Sequence, residues 1–331
     1  MRAFVMDGPG SGSVVEVPDP RAGDYDAEVE LLWCGVCSST DRMLRAGTFR
    51  GGVSYPSILG HESVGRVTAI GSAVRNLAVG DLVTRPAAYA PESAPLAMHW
   101  GGFAERGVVR DLRAEAEDHG AVAAAAPWVR LEPGTDPQSA ALAISLSETF
   151  SVICREDLVG KTVVVVGTGV AGLSLMRFAS LLGAARIIGV GRRAARLDAA
   201  ALAGATETLL AEDAAAELAR RRDADLVFEA SGQASMVGTG LGWLRTGGRL
   251  IVYSAAEDAA SLDLMAAPRD VDLRVASTHE TAVLPGVVRL VESGALGLES
   301  FVTLRVDLPD IDSAFEAIER GDVVKALVRL G

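Results

Sequence analysis

Along residues 1 to about 110, apolar positions come in short runs cut by Gly, Pro and Asp, the texture of strands joined by tight turns. Residues 27–33 and 63–70 read as two such strands, and 81–83 as a third that follows the turn at Val79-Gly80. Near residue 150 the pattern changes. A wholly apolar segment, 162–166, leads through glycines into a helical stretch over 171–182. A second apolar segment, 186–190, leads into an Arg- and Ala-rich helix that ends at Leu202, and 224–229 and 248–253 repeat the apolar-strand pattern. Wholly apolar strands alternating with helices predict a parallel sheet covered on both faces. From about 285 the chain is mixed again and is predicted to close with a helix over 311–320 and a strand over 325–330.

Composition narrows the function classes. The 331 residues suggest two domains at roughly 150 residues each. Acidic groups outnumber basic ones 43 to 31, for a net charge of −12 with no basic stripe. Nucleic acid and anionic membranes are therefore poor partners, whereas a neutral or cationic small polar substrate fits. Three cysteines cannot build a disulfide framework and point to a reducing compartment. Asp7 and Gly8 end the first apolar run too early for a secretory leader, and no stretch reaches the ~18 apolar residues of a membrane span. A cytoplasmic protein is expected.

Val163 to Val166 run into Gly167-Thr168-Gly169-Val170-Ala171-Gly172, a G-x-G-x-x-G placed after a strand and before a helix. In that setting each glycine has a mechanical reason: one permits a tight turn, one the close approach of backbone to pyrophosphate, and one close helix–strand packing. Pyrophosphate then sits on free N–H groups at the helix start. About 20 residues on, an NAD site carries an acidic residue for the ribose 2′-hydroxyl. Gly191 stands there instead, followed by Arg192 and Arg193, with Arg196 close behind. Without a carboxylate to repel it, a 2′-phosphate can take a forked guanidinium partner, so the site reads as one for NADP(H). The alternative is that these arginines simply begin a solvated helix.

Cys34-Gly35-Val36-Cys37 and Gly60-His61-Glu62 bring a thiolate, an imidazole and a carboxylate within one short stretch, a donor set that suits an open zinc site. The residues alone also allow a dithiol pair or a satisfied surface His–Glu.

These motifs together resemble the zinc-dependent medium-chain dehydrogenase/reductase family of alcohol, polyol and glucose dehydrogenases, over essentially the whole chain. Gly35-Val36-Cys37, Gly60-His61-Glu62, Gly80-Asp81-Leu82-Val83, Gly101-Gly102-Phe103-Ala104-Glu105, the glycine loop, Gly247-Gly248-Arg249 and 325–328 follow in the family's order. The resemblance implies a GroES-like β-rich catalytic domain (1–146 and 283–331) and a Rossmann NADP-binding domain (147–282), together α/β. It implies a homodimer or homotetramer, and a secondary alcohol or ketone as substrate, of a sugar, polyol or (amino)cyclitol. It also implies Cys37 and His61 as zinc ligands, with Glu62 ligating or exchanging with water.

Three departures qualify the carry-over. The closely spaced cysteines of the family's structural-zinc lobe are absent, 86–100 holding none, so one catalytic zinc per chain is expected. Two residues, where the family usually has one, separate Cys37 from the hydroxyl–Asp pair. The proton-relay hydroxyl is thus Ser39 counted from Cys37, or Thr40 counted back from Gly47, with Asp41 then behind the ligands; Thr40 is preferred. Arg42 and Met43 stand where some members carry a His that finishes the relay. Finally, Ile144 occupies the position from which sugar-type members supply a Glu ligand. Glu148, one helical turn along, is the candidate replacement, its alternative being an ordinary first-turn or surface Glu. Among the remaining histidines, His119 and His279 read as structural and His99 as a possible cleft residue.

Overall fold

A computed structural model describes residues 1–90, 94–254, 259–265 and 267–331. The chain divides into two compact units, one made of Met1–Ile144 with Leu284–Gly331 and the other of Ser145–Val283.

In the first unit, alternation along Asp26–Val36 (β1) buries Ala27, Val29 and Leu31. This strand pairs antiparallel with Glu62–Ile70 (β2), with Arg106–Arg110 and with Lys325–Arg329, and the last pairs parallel with Val302–Asp307. Register sets the chemistry: Gly35 of β1 lies opposite Glu62, and Val36 opposite Ala326. The end of β1 and the starts of β2 and the C-terminal strand therefore meet at one place. Helix Ile311–Arg320 places Ile311, Ala314 and Phe315 on one face, an i, i+3, i+4 pattern that closes the core around Phe4, Leu31 and Phe103. Phe315 packs its ring 5.6 Å from that of Phe4 and 6.0 Å from that of Phe103.

Beyond β2, helix Pro137–Ile153 (α2) is well under way at Ile144, which is buried, and carries Glu148 on its next turn. Its residues are shared between the two units.

The second unit is built on a six-stranded parallel sheet. Its strands are Thr162–Val166 (β3), Arg186–Gly191 (β4), Glu207–Leu210 (β5), Ala224–Glu229 (β6), Leu244–Val252 (β7) and Asp272–Val275 (β8), in the order β5-β4-β3-β6-β7-β8. Val163, Val164, Ile188, Val227 and Leu250 are wholly buried, as strands covered on both faces require. The order turns back beside β3, the switch point at which such sheets bind nucleotides. This is a GroES-like unit joined to a Rossmann unit, as the family resemblance implies. Three details differ from the sequence reading: β7 begins earlier, β5 and β8 are added as sheet edges, and the stretch after β4 is a 3₁₀ turn, Ala194–Arg196, before helix Leu197–Leu202. Among the described residues no helix is long and apolar enough to cross a membrane.

Candidate active site

Cys37 follows β1, and His61 immediately precedes β2, so the antiparallel register brings them together with Glu62. One ligand atom from each of Cys37, His61 and Glu62 lies within 4.8 Å of the other two, and these three form the metal-competent cluster found among the described residues. Gly60 enters at φ +99°, a left-handed conformation that glycine adopts without penalty, and a Cβ there would stand 2.8 Å from the Phe103 backbone nitrogen.

Asp41 organises the cluster from behind. It is fully buried at the start of helix Thr40–Ala46 (α1); its Oδ2 accepts the Cys37 N–H at 2.8 Å and its Oδ1 stands 3.3 Å from His61 Nδ1. The imidazole thus turns Nδ1 to a carboxylate and Nε2 toward Glu62 Oε1 at 3.9 Å, the orientation in which a neutral ring donates backward and ligates forward. Burial alone would lower the His61 pKa, but Asp41 and Cys37 outweigh it and hold the metal-free imidazole well above its usual value. A pocket that sets the Cys37 sulfur and the Asp41 and Glu62 carboxylates around a buried imidazole is electrostatically suited to a cation. A sulfur, a nitrogen and an oxygen donor are the set that zinc accepts with a position left open.

Glu62 faces Lys325 in a close ion pair, and both side chains are shut away from solvent. Gly35 makes room for it: a Cβ there would stand 2.1 Å from Glu62 Oε2 and 3.0 Å from Lys325 Cε. The sequence motifs give Lys325 no role of its own; the signal it carries there is that of a lone lysine opening an apolar strand. Trp100, rather than its neighbour His99, is the residue that reaches the cluster. Its ring lies 5.1 Å from that of His61, whereas His99 Nε2 accepts the Ser54 N–H at 3.3 Å.

Of the two hydroxyls, Ser39 is exposed, while Thr40 is half-buried with its N–H on Cys37 Sγ at 3.4 Å. Cys34 is sealed in the apolar core, its thiol donating to the Gly35 carbonyl at 3.5 Å, and burial pushes its pKa well up, so it is no dithiol partner for Cys37. Glu148 is half-buried on α2, belongs to the other unit, and is not one of the three clustered donors. His119 is exposed at the end of helix Leu112–Asp118, and the His279 N–H donates to Ser151 Oγ at 3.0 Å.

In the second unit the glycine loop is tight. Gly167 has φ +117° and backs onto the Ala230 carbonyl; a Cβ on Gly172 would lie 1.9 Å from the Gly167 carbonyl, while one on Gly169 would meet open space. Val170 and Ala171 open helix Val170–Leu181 (α3). Gly191 ends β4 buried, Arg192 and Arg193 are exposed, and Arg196 closes the following turn.

The family profile of the alcohol dehydrogenase GroES-like domain matches residues 23–115, and that of the zinc-binding dehydrogenase matches residues 170–293. The chain is 30% identical to probable D-xylulose reductase A of Arthroderma otae, over 98% of this chain and 96% of that protein. The chain belongs to the zinc-dependent medium-chain dehydrogenases. D-xylulose reductase A of Aspergillus oryzae is 27% identical over the same shares. Alcohol dehydrogenase TADH of Thermus sp. ATN1 superimposes with a TM-score of 0.82 at 27% identity, covering all of both chains. Members of this family act on CH–OH groups with a nicotinamide cofactor, and the Cys37–His61–Glu62 cluster supplies donors of the kind their zinc requires.

Proposed function

We propose that the protein is an NADP(H)-dependent dehydrogenase with one zinc per chain, interconverting a secondary alcohol and a ketone of a sugar, polyol or aminocyclitol. The observation that carries this is the Cys37–His61–Glu62 cluster, with His61 and Glu62 buried, and Asp41 behind it. The curated relatives reduce xylulose by name, which supports the substrate class. Gly191 and Arg192 support NADP(H) over NAD(H).

Bound zinc supplies Lewis acidity toward the alcohol oxygen, and bound nicotinamide the hydride acceptor. The chain's own residues do the rest. Cys37 and His61 would hold the metal, Asp41 fixes the His61 tautomer, and the Thr40 hydroxyl would accept the substrate proton while handing its own on to solvent, with Ser39 the exposed second candidate. Glu62, balanced by Lys325, is the carboxylate that ligates or withdraws. Glu148 is assigned the ligand place that Ile144 cannot fill, on the strength of its position one turn along a continuous helix. Gly167, Gly169, Val170, Ala171 and Gly172 receive the pyrophosphate; Arg192, Arg193 and Arg196 surround the 2′-phosphate.

Strand β8 ends the parallel sheet among the described residues, with Val275 72% and Leu273 42% exposed. An apolar edge with unpaired backbone groups invites a second copy, which supports a homodimer. Cys34, Cys37 and Cys154 are all free thiols, in keeping with a cytoplasmic setting.

Metal analysis combined with a screen of polyols and sugars against both oxidised cofactors tests the reading. One zinc per chain, lost in Cys37→Ser and His61→Ala, and polyol oxidation faster with NADP than with NAD are expected. A metal-free protein that reduces quinones or enones would replace it with a zinc-free reductase; a metal-free protein that only binds NADPH would make it a binding protein. Light scattering on the eluted peak checks the dimer.

A further inference from the structure

In a chain of net charge −12, several arginines around the parallel sheet are paired with carboxylates. Arg186 pairs with Glu207 and Asp223, and Arg221 with Glu207 and Glu217. Arg192 differs. Among the described residues its guanidinium has no carboxylate at ion-pair distance; it meets the side-chain amide of Gln233. A guanidinium only donates, so the amide turns its oxygen to it, accepting from Nη1 at 2.9 Å and Nε at 3.3 Å.

Gln233 is well placed to act as an anchor. It stands immediately before helix Ala234–Leu241 (α4), and its N–H donates to Ser231 Oγ at 3.3 Å. The Ser231 hydroxyl and N–H and the Gly232 N–H converge on Glu229 Oε1, a carboxylate buried at the end of β6. The next residue, Ala230, donates to the Val166 carbonyl at 2.8 Å and packs against Gly167. The turn that presents Gln233 is thereby tied to the glycine loop.

We propose that Gln233 is a specificity-determining residue for the cofactor: it holds Arg192 at a fixed offset from the pyrophosphate loop without neutralising it. The inference rests on the NADP(H) reading above. A neutral acceptor restricts the rotamers of a long, exposed side chain while leaving its charge and its other N–H groups to a dianionic 2′-phosphate. A carboxylate at position 233 would order Arg192 equally well and cancel its charge.

Calorimetric titration of the full chain with 2′,5′-ADP and with 5′-AMP separates the alternatives, because the two probes differ by the 2′-phosphate. Gln233→Leu should weaken 2′,5′-ADP about 3- to 10-fold, the loss of one charged hydrogen bond's ordering, and leave 5′-AMP within about twofold. Gln233→Glu should weaken 2′,5′-ADP more than Gln233→Leu does. Arg192→Ala should lose the most, with no further loss in Arg192→Ala/Gln233→Leu. If Arg192→Ala weakens 2′,5′-ADP and both Gln233 variants leave it unchanged, Gln233 has no such role and the NADP(H) reading stands. If the parent protein binds 2′,5′-ADP no better than 5′-AMP, the NADP(H) reading itself falls, and the role of Gln233 with it. Retained 5′-AMP binding in each variant shows that the nucleotide unit is folded.

Discussion

Asp41 contacts two of the three clustered donor residues at once, taking the Cys37 N–H on one carboxylate oxygen and standing 3.3 Å from His61 Nδ1 with the other. One buried side chain thus fixes both the loop that presents the Cys37 sulfur and the face the imidazole turns to the cluster. Asp41→Asn should lower zinc affinity about 10–100-fold, the usual loss when the group behind a ligating histidine is removed. Competition against a chromophoric chelator measures it, and an unchanged affinity would leave Asp41 as packing alone.

Lys325 and Glu62 form a pair that water does not reach. Lys325→Met leaves a buried carboxylate uncompensated and should destabilise the metal-free protein by about 3–5 kcal/mol in urea. Glu62→Gln combined with Lys325→Met should recover most of that loss, since no unpaired charge then remains. Equal destabilisation in the single and double variants would contradict the pairing.

The cofactor switch needs three changes. A Cβ at Gly191 would lie 2.8 Å from Thr168 Cγ2 and 3.2 Å from its Oγ1, so the glycine loop blocks the carboxylate that would select NAD. Gly191→Asp with Arg192→Ala should lose NADPH without gaining NADH. Adding Thr168→Ala opens the space, and the triple variant should favour NADH; fluorescence titration with both cofactors reads the outcome.

Asp111 contributes to stability on the acid side. Burial alone would raise its carboxyl, but N–H groups of Arg75, Asn76 and Ala114 at 2.8–3.0 Å and the Asn76 amide outweigh it and hold it below the ordinary range. A depressed carboxyl stabilises the fold above its unfolded value of about 3.9, and that contribution fades as pH falls through the lower folded value. Urea midpoints should therefore drop more between pH 6 and pH 3 in the parent than in Asp111→Ala, which starts lower by about 1 kcal/mol or more from the lost helix cap.

Glu148→Gln should lower zinc affinity on the order of 10–100-fold if its carboxylate completes the ligand set. An affinity equal to the parent's would return Glu148 to the helix surface.

Much of this architecture is local in origin and so legible in the sequence. The run Val163–Val166 reads as a covered strand, and the three spaced glycines after it as a tight turn into a helix. The motifs at Cys37 and His61 are equally visible because each sits at a strand end where spacing is informative. What escapes depends on register between distant strands. Lys325 reaches Glu62 only because Val36 pairs with Ala326, and Trp100 reaches His61 through a loop whose path no periodicity encodes. Gln233 escapes for the same reason: its importance lies in the arginine that follows another strand, not in any motif of its own.

The pairing of Lys325 with Glu62 also sets an order of events in synthesis. A ribosome that has just released residues 26–70 has delivered Cys37, His61, Asp41 and Glu62, but the cation that offsets Glu62 is still hundreds of codons away. Until the strand Lys325–Arg329 slots between β1 and Val302–Asp307, the nascent pocket carries surplus negative charge. The charge balance of the pocket built by residues 26–70 is thus completed from the far end of the chain.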